Sequence, residues 1–264
     1  MAENSYTFFL TALPLAFLPS ILWLLFYLRK DVHPEPNRAV LRAFFWALFI
    51  TFLAAFLIAG AQALIEALET SGEGPKIITS FFIFLFVNSP LAVFFNAFWE
   101  EGLKFLIVKK KIINTPDFDE PVDAMEYMII VALGFAAVEN ILIALKYSSE
   151  NRAFRELFSV LFTRFVGATL LHVLASAIVG YFLARAIFWK KDKRPYPFRL
   201  GLVFLGLLIA TGLHGVFNFL IIKSEQLSSK IYLYLVALLL FGMALTVTRC
   251  LRKLNQQSLK RKRS

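Results

Sequence analysis

The sequence predicts an all-α protein, a polytopic transmembrane helix bundle of about seven spans, and three observations predict it. Hydrophobic residues make up 59% of the 264 residues and include 30 Phe, whereas soluble domains are roughly 45–50% apolar. The excess is gathered into runs of about 20 residues or more, enough to cross a hydrocarbon core about 30 Å thick. The 28 Lys and Arg residues stand mostly between those runs, as expected where positive loops fix topology.

The spans are expected in order at Tyr6–Leu28, Val40–Leu68, Ile77–Val108, Ala124–Leu145, Leu157–Trp189, Leu200–Ile222 and Ile231–Thr248. The first lacks a basic segment before it and is followed by Arg29-Lys30, so it reads as a retained span and not a cleaved signal. The third is long and carries Asn88-Ser89-Pro90 near its centre. Proline removes a backbone donor and clashes with the preceding turn, so a kink or break is expected there.

With the N-terminus outside, the inner segments hold 19 basic residues and the outer ones 6. That asymmetry predicts N-out, C-in with seven crossings. If the third segment crossed twice, giving eight, the Lys260-Arg261-Lys262-Arg263 run would fall outside, against the same rule. The loops are short, so residues 1–264 read as one integral membrane domain, with 249–264 as a basic cytoplasmic tail.

The net charge of +10 would suggest nucleic acid in a soluble protein. Here the basic residues sit at span ends, so anionic lipids at the cytoplasmic face are the expected partner, and no nucleic acid. The one cysteine, Cys250, excludes an internal disulfide and a Cys-based zinc site.

Four clusters of ionisable or amide side chains interrupt the apolar runs. Each ionisable group costs about 2.5–3.5 kcal/mol at a helix centre on insertion scales, so groups kept at similar depth are expected to act together. Asn96, Glu100 and Lys104 are spaced by four and share a helix face, with Glu101 about 100° around. Glu100 lies nine residues before Lys109-Lys110-Lys111, hence about 13–14 Å inside that stop. Glu139-Asn140 follow Gly134–Val138, and no cation lies within a turn of Glu139; any partner must come from another helix. His172 lies midway along the fifth span, with Arg164 eight residues earlier and Gly167, Ala168, Ala175 and Ser176 small enough for close helix approach. His214 and Asn218 are one turn apart, flanked by Gly212 and Gly215. The third histidine, His33, stands beside Pro34 and Pro36 in a loop.

Imidazoles and carboxylates are ligand types that zinc accepts, and a further carboxylate can serve as general base. Without metal, a Glu can activate water while His and Asn stabilise an oxyanion. Other chemistries lack their residues: all five Asp (31, 117, 119, 123, 192) fall in loops, and HExxH, a GxSG-like serine element, a P-loop and a Rossmann glycine pattern are all missing.

Glu100-Glu101-Gly102-Leu103-Lys104 fits EExxK, and Gly134-Phe135-Ala136-Ala137-Val138-Glu139-Asn140 fits GFAxxEN. His172 with Gly180, and His214-Gly215-Val216-Phe217-Asn218-Phe219, complete a series over residues 96–219. In order and spacing the series resembles the PrsW family of intramembrane proteases, distantly similar to the CAAX-processing and bacteriocin-immunity-type membrane proteases. The resemblance implies a glutamate- or metal-dependent peptidase acting on membrane-anchored proteins, in some members anti-sigma factors. It gives Glu100, Glu101, Glu139, His172 and His214 the family's catalytic roles.

The expectation is therefore an intramembrane endopeptidase in a bacterial plasma membrane. Glu100 or Glu101 activates water and Lys104 keeps that pair ionised. His172, His214 and Glu139 bind zinc or, metal-free, position the water; Asn140 and Asn218 donate to the oxyanion, and Arg164 orients a carboxylate. A proton- or ion-coupled transporter is the rival use of buried Glu and His, and an inactive membrane scaffold is a third.

Overall fold

The computed structural model describes residues 5–30, 34–70, 90–150, 152–188 and 195–262. Among them there are eight α-helices and no strand: α1 Ser5–Leu28, α2 Asn37–Thr70, α3 Pro90–Lys111, α4 Asp123–Ser149, α5 Phe154–Val166, α6 Ala168–Phe188, α7 Tyr196–Leu227 and α8 Ile231–Lys262.

A helix apolar on every side belongs at the centre of a bundle, and α4 takes that place. Every residue from Asp123 to Val138 is buried, with α1, α2, α3 and α6 around it. Its antiparallel neighbour α6 is buried without interruption from Leu171 to Gly180. Glycine sets the separation of these helices. A Cβ on Gly180 would lie 2.5 Å from the Ala124 carbonyl oxygen of α4, and one on Gly134 would lie 2.7 Å from Ala47 Cβ of α2. Close approach through small residues is the usual basis of helix association in lipid, where the hydrophobic effect between helices is lost.

The outer helices turn large side chains away from this core. Phe45, Phe49 and Phe56 of α2, Leu238 and Phe241 of α8 and Trp99 of α3 are all exposed, as lipid-facing surface requires. Among the described residues, six helical stretches are long and apolar enough to cross a membrane: Thr7–Leu28, Asn37–Leu64, Asp123–Ser149, Phe154–Phe188, Tyr196–Leu227 and Ile231–Leu259. These match six of the seven expected spans. Of the expected third span, α3 supplies the part from Pro90 onward, and its Glu100, Glu101 and Lys104 keep it out of that group. Residues 77–89, with Asn88 and Ser89, lie outside the described residues, as do His33, Asp31 and Asp192.

Two boundaries differ from expectation. The fifth span is interrupted at Gly167, which has φ −105° and ψ −94° and separates α5 from α6. Its sequence, mostly apolar and without proline, gave no sign of the interruption. Across it, Trp23 of α1 donates its indole N–H to the Phe165 carbonyl at 2.9 Å. The last helix does not stop at Thr248 but runs on to Lys262, so most of the expected tail is helical.

The turn entering α4 is tied by its own carboxylate. Asp123 Oδ2 accepts the backbone N–H groups of Asp119 at 2.8 Å and Glu120 at 2.6 Å. Asp123 thus opens a helix instead of lying in a free loop. Arg42 of α2 pairs with Asp117 at 2.7 Å, and Tyr127 donates to Glu35 at 2.6 Å. These contacts fix the start of α2 against the start of α4.

Candidate active site

Five helices deliver polar side chains to one region of the interior. Glu100, Glu101 and Lys104 come from α3, Glu139 and Asn140 from α4, Arg164 from the last turn of α5, His172 and Ser176 from α6, and His214 and Asn218 from α7. All four clusters singled out in the sequence contribute to it.

The two neighbouring glutamates have different surroundings. Glu101 is wholly buried, and its carboxylate is saturated: Oε1 accepts from Lys104 Nζ at 2.7 Å and from His214 Nδ1 at 2.9 Å, and Oε2 accepts from Ser176 Oγ at 2.8 Å. Glu100 Oε2 is buried without a hydrogen-bond partner, 3.6 Å from His214 Nε2 and 4.0 Å from His172 Nδ1. Neither separation is a hydrogen bond. Lys104 therefore pairs three residues back with Glu101, and not with Glu100 as the spacing of four suggested.

The network assigns both imidazole tautomers. An ammonium offers only donors, so His172 Nδ1 accepts from Lys104 at 2.8 Å and its Nε2–H is directed to Glu139 Oε2 at 3.0 Å. His214 gives its Nδ1–H to Glu101, which leaves the Nε2 lone pair toward Glu100. The two rings meet edge-on with centroids 5.0 Å apart. Phe135 completes the wall, its centroid 5.5 Å from that of His172 and 4.6 Å from the Lys104 ammonium.

Glu139 finds its partners on other helices, as its isolation required. Arg164 reaches Glu139 Oε2 at 2.6 Å through Nη2 and Asn140 Oδ1 at 2.7 Å through Nε. Arg164 and His172 thus share one carboxylate although the helix is interrupted between them. Asn140 Nδ2 is buried with no hydrogen-bond partner. Asn218 stands with Asn96, Glu100 and Arg164 on the wall of a cavity of about 970 Å³ between α3, α5, α7 and α8. The partners that residue spacing did not mark are Ser176, noted only for its size, and Phe135, which stood in the GFAxxEN series without a role.

The donor set suits a divalent cation. Glu100, His172 and His214 each offer one ligand atom, all within 4.8 Å of one another. Two ligands at zinc bond lengths of about 2.0–2.1 Å stand roughly 3.3 Å apart in a tetrahedral site, so the 3.6 Å and 4.0 Å separations at Glu100 need only a small contraction. Charge points the same way: among the described residues, the three carboxylates Glu100, Glu101 and Glu139 are paired with two Lys or Arg side chains, Lys104 and Arg164. Glu139, expected among the ligands, instead meets the far nitrogen of His172.

Comparison with known proteins supplies the family. The model of the family described as "PrsW family intramembrane metalloprotease" matches residues 35–245. A protein named "Protease PrsW" from Geobacillus kaustophilus is 30% identical over 215 residues, 81% of this chain and 80% of its own. Its namesake from Bacillus subtilis is 32% identical over 216 residues, 82% and 83% of the two chains, and that from Clostridioides difficile is 33% identical over 124 residues, 46% and 48%. No solved structure matches. Nothing in these likenesses favours the transporter reading. The bundle is an integral membrane protein with bacterial relatives, and the chain belongs to the PrsW family of intramembrane metalloproteases.

Proposed function

We propose that this membrane protease hydrolyses a peptide bond in a membrane-anchored protein, using water held between Glu100, His172 and His214. The observation that carries the reading is the unpartnered Glu100 Oε2, facing two imidazole nitrogens at 3.6 Å and 4.0 Å beside the cavity.

Glu100 takes a proton from the water as its oxygen attacks the scissile carbonyl carbon, and returns it to the amide nitrogen as the C–N bond breaks. Glu101 and Glu139 are positioning residues. Each accepts from the far nitrogen of one histidine, in the manner of the carboxylates that orient metal-binding imidazoles. Lys104 and Arg164 hold those carboxylates in turn. Asn140 and Asn218 are the amides available to the oxyanion. Zinc is the expected cation; His172, His214 and one oxygen of Glu100 would hold it, the other carboxylate oxygen being left to take the proton, and it would supply Lewis-acid polarisation of the carbonyl and of the water. The metal-free scheme uses the same three groups, with the imidazole nitrogens that face Glu100 accepting from the water.

The membrane reading extends from the sequence: N-out and C-in, one domain over 1–264 with the motif-bearing core at 96–219, and basic residues of 249–264 against anionic lipids of the cytoplasmic leaflet of a bacterial plasma membrane. The substrate class is a single-pass protein entering the cavity from the bilayer, anti-sigma-factor-like in kind.

The test is co-expression with a panel of single-pass substrates. Cleavage is expected for the unaltered chain and lost in Glu100→Ala, His172→Ala and His214→Ala; full cleavage by all three variants ends the hypothesis. Activity that survives phenanthroline, in protein purified without zinc, would select the metal-free scheme.

A further inference from the structure

A second cavity, on the side of the bundle away from Glu100, has a volume of about 940 Å³ and lies between α6, α7 and α8. Its walls are stripes at helical spacing, and two of the three stripes end in a cation. On α6, Ile178 and Tyr181 line it, and the next position on that face is Arg185. On α8, Leu239, Met243 and Cys250 line it, and the next position is Lys253. The two cations converge on one ring. Lys253 Nζ lies 3.3 Å from the Tyr181 hydroxyl, and the Arg185 guanidinium carbon lies 5.9 Å from the Tyr181 ring centroid. An apolar trough thus closes at one end in two positive groups and a phenol.

We infer that this groove is a binding site for an anionic phospholipid, with an acyl chain along α8 and the phosphate between Arg185, Lys253 and Tyr181. Charge complementarity selects the occupant. A guanidinium and a phenol are suited to a phosphate, and juxtamembrane Lys and Arg are the groups that draw anionic lipids. Length agrees too. The α8 lining from Leu235 to Cys250 extends about 22 Å at 1.5 Å per residue, and one leaflet of a 30 Å core needs about 15 Å. There is room for a chain at the middle of the trough, where a Cβ on Gly242 would meet nothing within 4 Å. The site takes only its leaflet from the C-in orientation proposed above, and it stands apart from the peptidase chemistry.

The experiment uses the full chain in phosphatidylcholine nanodiscs containing a phosphatidylglycerol with a photoreactive acyl chain. After photolysis, label is expected on peptides carrying Ile178–Phe182 and Leu235–Cys250. A phosphatidylcholine with the same reactive chain should label them about fivefold less, as expected from losing about one cation's worth of attraction. R185Q/K253Q, which removes two cations at about 1 kcal/mol each, should lower phosphatidylglycerol labelling about thirtyfold. Gly242→Leu, which fills the trough and leaves both cations in place, should lower it comparably, and it carries the test if the double variant does not fold. Equal labelling by the two headgroups would mean unselective boundary lipid and would overturn the site. So would unchanged labelling in R185Q/K253Q or in Gly242→Leu. Loss of proteolysis in any of these proteins leaves the labelling result intact, so the two proposals fail separately.

Discussion

Glu100 and Glu101 approach the same imidazole from opposite sides: Glu101 Oε1 meets His214 Nδ1 at 2.9 Å, and Glu100 Oε2 faces Nε2 at 3.6 Å. Adjacent carboxylates on one helix are thereby given different tasks. The substitution Glu100→Gln is expected to lower kcat by about 10²–10⁴-fold while leaving the unfolding temperature nearly unchanged, because Oε2 makes no hydrogen bond to lose. Glu101→Gln breaks a wholly buried ion pair and should cost about 3–5 kcal/mol of stability. Thermal unfolding in detergent, measured beside substrate cleavage, separates the two; equal losses of stability would contradict the assignment.

Arg164 bonds both Glu139 and Asn140 from the far side of the helix interruption. Arg164→Ala should lower kcat about 10–100-fold, the range seen when a group behind a metal-binding histidine is removed, with KM little changed. Arg164→Lys should recover part of that, since an ammonium supplies the charge but not the planar fork that spans two acceptors. Steady-state kinetics on one substrate distinguishes these outcomes from a loss of substrate binding.

Lys104 donates to His172 Nδ1, the nitrogen that faces Glu100. A metal ion at Glu100, His172 and His214 must compete with that ammonium. Lys104→Gln keeps a donor for Glu101 and removes one positive charge, so zinc affinity, read by competition with a chromogenic chelator, should tighten on the order of tenfold. His214→Gln should weaken it by about tenfold or more. Unchanged affinity in both variants would remove zinc from the site.

Two helical glycines, one in the core and one half-buried, should respond with opposite signs. A methyl at Gly180 runs into the backbone of α4 at Ala124 and Met125, which cannot yield without moving a helix, so Gly180→Ala should destabilise by about 1–3 kcal/mol. Gly102 has open space around its would-be Cβ, and Gly102→Ala should stabilise by about 0.5–1 kcal/mol through the lost chain entropy of the unfolded state. Chemical denaturation of the two variants checks the contrast.

Burial cost explains what could be read from residues alone. Glu100, Glu139, His172 and His214 were conspicuous because lipid penalises such groups, and all four meet at the site. The division of labour between Glu100 and Glu101 was not legible, because a 100° rotation on α3 has no meaning until α6 and α7 place Ser176 and His214. Spacing favoured the pair Glu100–Lys104, but His172 draws the ammonium to the Glu101 side. The interruption at Gly167 was hidden for a related reason. An apolar run of that length reads as one rod, and its break depends on what packs against it. The extension of α8 through Lys262 escaped notice because hydropathy marks where a helix leaves the bilayer, not where its hydrogen bonds stop.

The Trp23–Phe165 hydrogen bond gives the first helix a duty that no motif announces. Residues 5–28 precede the stretch matched by the family, yet their indole braces the carbonyl of Phe165, the residue directly after Arg164, at the bend of the α5–α6 rod. The helix is placed as a splint on a fracture: it lends the site none of the side chains described above, and it holds the turn from which the guanidinium reaches its carboxylate.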